Sequence, residues 1–381
     1  MILFILFVFV VYGSVHVYAF QRARIALAFG PAIGVFLAAF MLLMVFALFL
    51  VRALEDHEYE ISARTLAYVA YFWMAILFLF FCGSLILDIS TLIVRVAGWI
   101  SHSDVSGAIL SVSTRFFVSL SLSLLACTYG YFEAKDIQME RVRIETAKLP
   151  PGIDRLTIVQ ISDVHLGLII RHERLEKMLQ IVKDAKPDIF VSTGDLVDAQ
   201  INHLTGLAEL LRSVKTQYGS YAITGNHEYF AGLEKALAFT KEAGFRVLRN
   251  EATAVGPITL VGVDDRTAIQ MKLEQPVSEK KLLELQAKDR FTLFLKHQPR
   301  IDRATIGLFD LQISGHTHKG QIFPFGLLTQ LFFPYLAGTH DLGGGSLLHI
   351  SRGTGTWGPP IRFYAPPEVA VYELVRRNPS L

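Results

Sequence analysis

Residues 156–165 read Leu-Thr-Ile-Val-Gln-Ile-Ser-Asp-Val-His, an apolar run of strand length that ends with Asp163 and His165. Alternate side chains of an extended strand point to the same side, so these two residues can reach one metal ion. Further apolar runs of strand length alternate with helical patterns after this stretch. The alternation predicts a layered α/β domain, in which loops after strand ends carry the site residues.

The predicted elements of this domain are short. Strands are predicted at 156–161, 188–192, 219–223, 259–263, 292–296, 311–314, 347–351 and 368–374. Helices are predicted at 172–185, 204–214, 232–243 and 277–286. A linker with a first strand is expected over 132–150, ahead of a domain at 151–381.

Four more short polar motifs follow predicted strands. They are Gly194-Asp195, Gly225-Asn226-His227-Glu228, Lys296-His297 and Gly315-His316-Thr317-His318. Carboxylate, imidazole and amide oxygen ligands together suit a divalent ion of intermediate hardness. The two cysteines, Cys82 and Cys127, both lie in apolar runs outside this half of the chain, which excludes a thiolate zinc site from it.

This ordered set of five motifs resembles the calcineurin-like metallophosphoesterase superfamily, over about residues 137–381. The resemblance implies a layered α/β/β/α sandwich and two divalent metal ions. Manganese is favoured by resemblance, and iron and zinc are alternatives. It implies that one ion binds Asp163, His165, Asp195 and His318, and that the other binds Asp195, Asn226, His297 and His316.

The resemblance also implies roles in hydrolysis. Asp195 would bridge the two ions, which hold a hydroxide for attack on phosphorus. His227, beside Asn226, would protonate the leaving oxygen or stabilise charge in the transition state. Glu228 has two interpretations, one in which it orients the His227 ring and one in which it stabilises a turn. Asp198 is interpreted as a loop residue.

Two arginines and seven histidines outside the five motifs have less specific interpretations. Arg352 and Arg362 flank Gly353-Thr354-Gly355, where related enzymes carry a similar segment, and they are candidates for phosphate contact as well as for loop structure. The remaining histidines are expected to be surface, interfacial or packed residues: His16, His57, His102, His172, His203, His340 and His349.

The first 131 residues have a different composition. They contain six basic and six acidic residues, against 30 and 28 in the remaining 250. Four apolar segments, 1–20, 25–51, 65–87 and 108–131, are long enough to cross a bilayer as helices. A multi-pass helical membrane region is therefore predicted over 1–131, which makes the chain an integral protein of an inner or plasma membrane.

Basic residues near the predicted spans indicate the orientation. Arg52, Arg64, Lys135, Arg141 and Arg143 lie on the side of the α/β domain, against Arg22, Arg24 and Arg95 on the other side. This excess favours a cytoplasmic α/β domain.

The stretch 322–336, just after the last histidine pair, is strongly apolar. Such a stretch beside a polar site favours a membrane, a partner or a lipid ligand, although packing under the domain or against the membrane helices is an equal alternative. A lipid-linked phosphate or pyrophosphate such as UDP-diacylglucosamine is therefore the leading substrate. A broad-specificity envelope phosphodiesterase is the second hypothesis, and a non-catalytic metal-stabilised sensor or scaffold is the third.

Two further classes of function are disfavoured. The net charge of +2 is spread over both signs and forms no continuous basic face, so nucleic acid is not an expected partner. The apolar segments contain few ionisable residues and no paired broken helices, which makes an anchor a better interpretation than a transporter.

Overall fold

The computed structural model describes residues 2–199 and 204–377, so His203 lies outside the described residues. The chain divides into two compact units. The helical unit comprises the residues up to Phe132 together with Gly358–Ile361, and the α/β unit comprises Glu133–Trp357 and the residues from Arg362 onward.

The helical unit is built from four long helices. They are α1 (Ile2–Leu27), α2 (Pro31–Asp56), α3 (Glu60–Ser101) and α4 (Val112–Glu133). Three segments among the described residues are long and apolar enough to cross a membrane: Pro31–Asp56, Glu60–Ser101 and Ser106–Glu133. The first predicted span, 1–20, overlaps α1, and the prediction of four membrane passes is not tested by these helices.

Helix α3 is much longer than the predicted span at 65–87. Its 42 residues extend about 63 Å, twice the hydrocarbon thickness of a bilayer. Asp88, which marked the predicted end of the span, lies inside the helix. Its carboxylate accepts hydrogen bonds from Arg115 at 2.6 Å and Tyr18 at 2.8 Å, and it pairs with Arg22. These distant partners satisfy the charge, so the helix continues past it.

Among its described residues, the α/β unit contains twelve strands. In chain order they are β1 (Gln138–Thr146), β2 (Arg155–Ile161), β3 (Ile189–Ser192), β4 (Ser220–Ala222), β5 (Arg246–Val247), β6 (Glu251–Val255), β7 (Ile258–Gly262), β8 (Phe291–Leu295), β9 (Leu311–Ser314), β10 (Gly338–Gly343), β11 (Ser346–Ile350) and β12 (Glu368–Arg376). They form two mixed six-stranded sheets, ordered β1-β12-β2-β3-β4-β5 and β10-β11-β9-β8-β7-β6.

Strand β1 lies within the predicted linker. It pairs in parallel with β12 from Gln138–Glu368 to Thr146–Arg376. We therefore place the start of the α/β domain near Glu133, where the second compact unit begins.

The α/β unit also contains seven α-helices among its described residues. In chain order they are α5 (His172–Asp184), α6 (Leu207–Arg212), α7 (Asn226–Phe230), α8 (Leu233–Glu242), α9 (Thr267–Gln270), α10 (Glu279–Glu284) and α11 (Phe325–Thr329). Residues Val159 and Ile161 of β2 pack in the same cluster as Leu175 of α5, whereas Leu156 and Ile158 pack with strands of the other sheet. This alternation has the two-residue period of a strand buried on both faces.

The second sheet is covered on its outer face as well. Val261 of β7 and Phe294 of β8 form a buried cluster with Leu283 of α10. The order of layers is thus helix, sheet, sheet, helix, which confirms the predicted α/β/β/α sandwich. The predicted strands are present, whereas the short elements β5, β6, β10, α7, α9 and α11 were missed.

Candidate metal centre

The predicted metal ligands follow the carboxyl ends of strands from both sheets. Asp163 and His165 follow β2, and Asp195 follows β3. Asn226 is the first residue of α7, just after β4, whereas the imidazoles of the second sheet follow β8 and β9. Strands β2, β3 and β4 are mutually parallel, as are β8 and β9, so each sheet brings its strand ends to one edge.

Five of these ligands have left-handed backbone conformations. The φ angle is 53° at Asp163, 54° at His165, 51° at Asp195, 71° at His316 and 48° at His318. Residues other than glycine adopt this region at a cost of about 1–3 kcal/mol each, and they do so where the surrounding structure imposes it. A cluster of such residues at the strand ends marks this edge as a functional site.

Two glycines allow the loops after β3 and β4 to touch. A Cβ atom on Gly194 would lie 2.5 Å from the backbone nitrogen of Gly225. A Cβ atom on Gly225 would lie 2.2 Å from Oδ1 of Asp195. Neither position accepts a larger residue without displacement of the site, which explains the glycine that precedes each predicted ligand.

One group of possible ligands consists of Asp163, His165 and His318. Their donor atoms lie within 4.8 Å of one another, and all three residues are buried. Nε2 of His318 lies 3.1 Å from Nε2 of His165 and 3.4 Å from Oδ1 of Asp163. The backbone amide of His316 donates to both carboxylate oxygens of Asp163 and fixes its orientation.

A second group consists of Asp195, His297 and His316, and Asn226 joins it. Nε2 of His297 lies 3.3 Å from Oδ2 of Asp195. Oδ1 of Asn226 lies 3.0 Å from Nδ1 of His316 and 3.2 Å from Nε2 of His297. An amide oxygen, a carboxylate oxygen and two ring nitrogens therefore face one point.

Asp195 faces both groups. Its Oδ2 lies 3.3 Å from His297 and also 3.9 Å from Nε2 of His165, which belongs to the first group. The donor set of nitrogen and oxygen atoms fits divalent cations, and the close approach of ring nitrogens is relieved when a cation lies between them. The residues present thus fit two metal ions that share one carboxylate.

The surroundings of each imidazole set its protonation before a cation binds. Burial, together with the charge of His227, lowers the pKa of His165 to about 3. Burial and His297 lower the pKa of His316 to about 4, so both rings are neutral at pH 7, the form that binds metals. Burial opposes a charge on His297, but Asp195 and Asp163 outweigh it and raise its pKa well above the ordinary value. A cation would replace that proton.

His227 lies beside the metal groups and is held by Asp198, which the sequence analysis interpreted as a loop residue. Its Nδ1 lies 2.9 Å from Oδ1 of Asp198, and its ring packs edge-on against His165 at 4.5 Å. Burial opposes the imidazolium, but Asp195, Asp198 and Glu228 outweigh it and raise the pKa of His227 to about 9. Asp198 is therefore more than a loop residue, and its spacing of three from Asp195 was the available signal.

Glu228 takes the second of its two predicted roles. Its carboxylate accepts hydrogen bonds from the backbone amides of Gly225 at 2.6 Å, Leu196 at 2.8 Å and Asp195 at 3.0 Å. It therefore ties the loop after β3 to the loop after β4, whereas Asp198 orients the His227 ring. Burial, with repulsion from Asp195, raises the pKa of Glu228 to about 7.

The two arginines expected at substrate are used within the protein. Arg362 is fully buried, and its guanidinium donates to the carbonyl oxygens of Gly353, Gly355, Arg352, His318 and Ala365 and to Nδ1 of His318. Arg352 pairs with Glu368 at 2.7 Å. These contacts favour loop structure as the role of both arginines, and the phosphate contact of Arg352 and Arg362 stays a prediction.

Apolar side chains lie beside this centre and around α11, and we call them the apolar rim; Phe333 is buried, whereas the other members are exposed. The ring of Phe333 lies 5.1 Å from that of His316, and the rings of Phe230 and Trp357 lie 5.5 and 6.3 Å from that of His227. Around α11 the rim continues with exposed Phe323, Phe325, Leu327, Leu328, Leu331 and Phe332. Leu331 and Phe332 are 76% and 70% exposed, whereas Ile322 and Phe333 are each 8% exposed, so the stretch 322–336 is packed against the α/β unit only in part.

Comparison with known proteins agrees with this geometry. The calcineurin-like phosphoesterase family model matches residues 156–320. An uncharacterised metallophosphoesterase of Aquifex aeolicus is 37% identical over 252 residues, which cover 66% of this chain and 96% of the relative. An uncharacterised metallophosphoesterase of Bacillus subtilis is 32% identical over 66% of this chain and 91% of the relative.

The name of a third relative describes a transmembrane protein. The Danio rerio protein described as a transmembrane protein with metallophosphoesterase domain is 30% identical over 66% of this chain and 61% of its own length. This chain belongs to the calcineurin-like metallophosphoesterase family. It is a metal-dependent phosphoester hydrolase, and three of its helices are long and apolar enough to span a membrane.

Proposed function

We propose that this chain is a membrane-anchored hydrolase that uses two divalent ions to cleave a phosphodiester or pyrophosphate bond of a lipid-linked substrate. The observation that carries the hydrolytic part is the position of Asp195, whose Oδ2 faces ligands of both metal groups. When bound, the two cations activate a water molecule and neutralise charge at phosphorus. Manganese is the proposed metal, because mixed nitrogen and oxygen ligands accept it.

The proposed ligand sets follow the two groups of side chains. Asp163, His165, Asp195 and His318 would hold one ion, and Asp195, Asn226, His297 and His316 would hold the other. The hydrogen bonds from the His316 amide to Asp163 and from the His227 amide to Asp195 hold both carboxylates in place before a metal binds. This preorganisation supports a catalytic centre.

His227 is the proposed donor of a proton to the leaving oxygen. The hydrogen bond between its Nδ1 and Asp198 fixes the ring, which leaves Nε2 as the atom that faces a substrate. A proton on Nε2 then passes to the oxygen that leaves phosphorus. Asp198 does not exchange a proton in this scheme, but stabilises the charged ring and its orientation.

The lipid-linked substrate is supported by the apolar rim and by the helices. The rim places Phe333, Phe230 and Trp357 next to the histidines of the centre and continues to highly exposed residues around α11. A contiguous apolar surface at a polar site suits a ligand with both a charged head and apolar chains. UDP-diacylglucosamine has this chemistry. The basic residues near the spans favour an inner or plasma membrane with the α/β domain in the cytoplasm.

The experiment compares two substrates with the purified full chain in detergent and manganese. UDP-diacylglucosamine and bis(4-nitrophenyl) phosphate are tested with wild type, Asp195→Ala and the exposed-surface control Asp289→Ala. The proposal predicts a preference for the lipid of about 100-fold in kcat/KM, equal to about 2.7 kcal/mol of transition-state binding. Equal rates would indicate a generalist diesterase, and hydrolysis of neither substrate by wild type would contradict the proposal.

A further inference from the structure

Arg300 lies at the edge of the metal centre, three residues after His297. Its guanidinium lies over the ring of Phe333, 4.8 Å from the centroid, and that ring in turn contacts His316 at 5.1 Å. Nε of Arg300 donates to Oε1 of Gln298 at 3.1 Å. An aromatic ring and an amide oxygen therefore hold the guanidinium beside the second group of ligands.

These contacts use only one of the three guanidinium nitrogens. Within residues 2–199 and 204–377, no hydrogen bond or ion pair is found at either terminal nitrogen of Arg300. The neighbouring carboxylate of Asp265 is occupied, since it accepts from Nε2 of Gln298 at 2.9 and 3.1 Å and from Oγ1 of Thr267 at 2.6 Å. The two terminal nitrogens of the Arg300 guanidinium are thus free to donate hydrogen bonds to a ligand.

The surroundings of Arg300 favour an anion. Arg300 is half-buried, and its pKa is lowered by burial and by the nearby charge of Arg266. It nevertheless stays charged at neutral pH, as arginine does in proteins. Two other half-buried arginines of the unit are paired with acids, Arg249 with Asp264 at 3.0 Å and Arg352 with Glu368 at 2.7 Å. The single positive charge of Arg300 has no paired carboxylate within the described residues, and Asp265 acts on it only at longer range.

We propose that Arg300 is a specificity residue that binds a second phosphate of the substrate, outside the phosphate held by the metal ions. The proposal rests on the proposed function. The metal centre must bind one phosphate of the substrate before a second phosphate of the same molecule can contact Arg300. A guanidinium binds phosphate through two parallel hydrogen bonds, and the free terminal nitrogens of Arg300 supply them. The substrate class is therefore a pyrophosphate ester rather than a simple phosphodiester.

The test uses two substrates that differ by one phosphate. These are bis(4-nitrophenyl) phosphate and P1,P2-di(4-nitrophenyl) pyrophosphate, assayed with manganese and the full chain in detergent. Arg300→Gln is expected to lower kcat/KM for the pyrophosphate by about tenfold or more, the effect of a lost hydrogen bond to a charged group. The same variant is expected to change kcat/KM for the single-phosphate ester less than about threefold.

Two further variants complete the test. Arg300→Lys keeps the charge but not the paired donors, so its loss on the pyrophosphate should be intermediate. Arg303→Gln, which alters an exposed arginine on the same loop, should leave both substrates unaffected. An equal loss on the two substrates, or no loss on the pyrophosphate, would overturn the role of Arg300.

Failure of the proposed function has a different signature. If wild type hydrolyses neither substrate, the hydrolase proposal fails. Binding of the non-hydrolysable P1,P2-methylene analogue, measured by calorimetry on wild type and Arg300→Gln, then decides the role of Arg300. Weaker binding in the variant supports it, and equal binding overturns it.

Discussion

Oδ1 of Asp198 lies 2.9 Å from Nδ1 of His227, so a carboxylate outside the proposed ligand set fixes the imidazole proposed to protonate the leaving group. Asp198→Asn replaces the acceptor with an amide that can present a donor to the ring. We expect kcat for bis(4-nitrophenyl) phosphate to fall about 100-fold, the usual contribution of general acid catalysis. Metal content, measured by inductively coupled plasma mass spectrometry, should not change.

The control for this prediction is Asp154→Asn, which removes an exposed carboxylate of the same unit. Unaltered kcat in Asp198→Asn would show that the hydrogen bond to His227 has no role in the reaction. Loss of metal together with activity would instead place Asp198 among the residues that bind the ions.

Glu228 supplies a second prediction, because its buried carboxylate accepts hydrogen bonds from four backbone amides, those of Gly225, Asp195, Leu196 and Val197. Glu228→Gln keeps one acceptor oxygen and adds a donor that faces other donors. We expect the free energy of unfolding to fall by about 2 kcal/mol, the cost of unsatisfied buried amides. Thermal unfolding should show a lower Tm in this variant and no change in Glu234→Gln, which alters an exposed residue of α8. An unaltered Tm would contradict the role of Glu228 in joining the two loops.

Arg362 distinguishes a positioning role from a substrate contact. Arg362→Lys leaves several of the buried carbonyl groups around Gly353 and Gly355 without a donor and removes the contact to Nδ1 of His318. We expect a lower Tm and weaker metal binding, because the loops that hold His318 lose their support. A higher KM in Arg362→Lys, with Tm and metal content unaltered, would instead support a contact between Arg362 and a phosphate of the substrate.

The apolar rim gives a prediction specific to the lipid substrate. Leu331→Ser combined with Phe332→Ser removes two of its most exposed apolar side chains. Contact of such side chains with acyl chains is worth about 1.5–3 kcal/mol each when complete. We expect kcat/KM for UDP-diacylglucosamine to fall at least about tenfold, whereas the rate with the soluble diester stays the same.

The matched control is Leu285→Ser, which alters a leucine that is 82% exposed at the end of α10. Equal loss with the lipid and with the soluble diester would mean that the rim residues support the fold instead of the ligand. No loss with either substrate would remove the apolar rim from substrate recognition.

The features that the sequence predicts correctly depend on residues close together in the chain. Strand β2 and the residues Asp163 and His165 could be placed from sequence, because a buried apolar run and the polar residues after it lie within ten positions. The remaining features depend on partners far along the chain. Arg362 reaches His318, 44 positions earlier, and the carboxylate of Asp88 meets Arg115, 27 positions later. No local pattern shows which buried group such a charge will meet, so sequence reasoning could not find the internal partners of Arg362 or the full length of α3.

The bridging position of Asp195 is the central claim, and metal content together with turnover tests it most directly. The full chain, loaded with manganese and freed of unbound metal, is assayed for bound ions and for hydrolysis of bis(4-nitrophenyl) phosphate, as wild type and as Asp195→Ala. Wild type is predicted to bind about two ions per chain, and the variant is predicted to lose both metal and turnover. Full turnover in Asp195→Ala would contradict the two-metal mechanism.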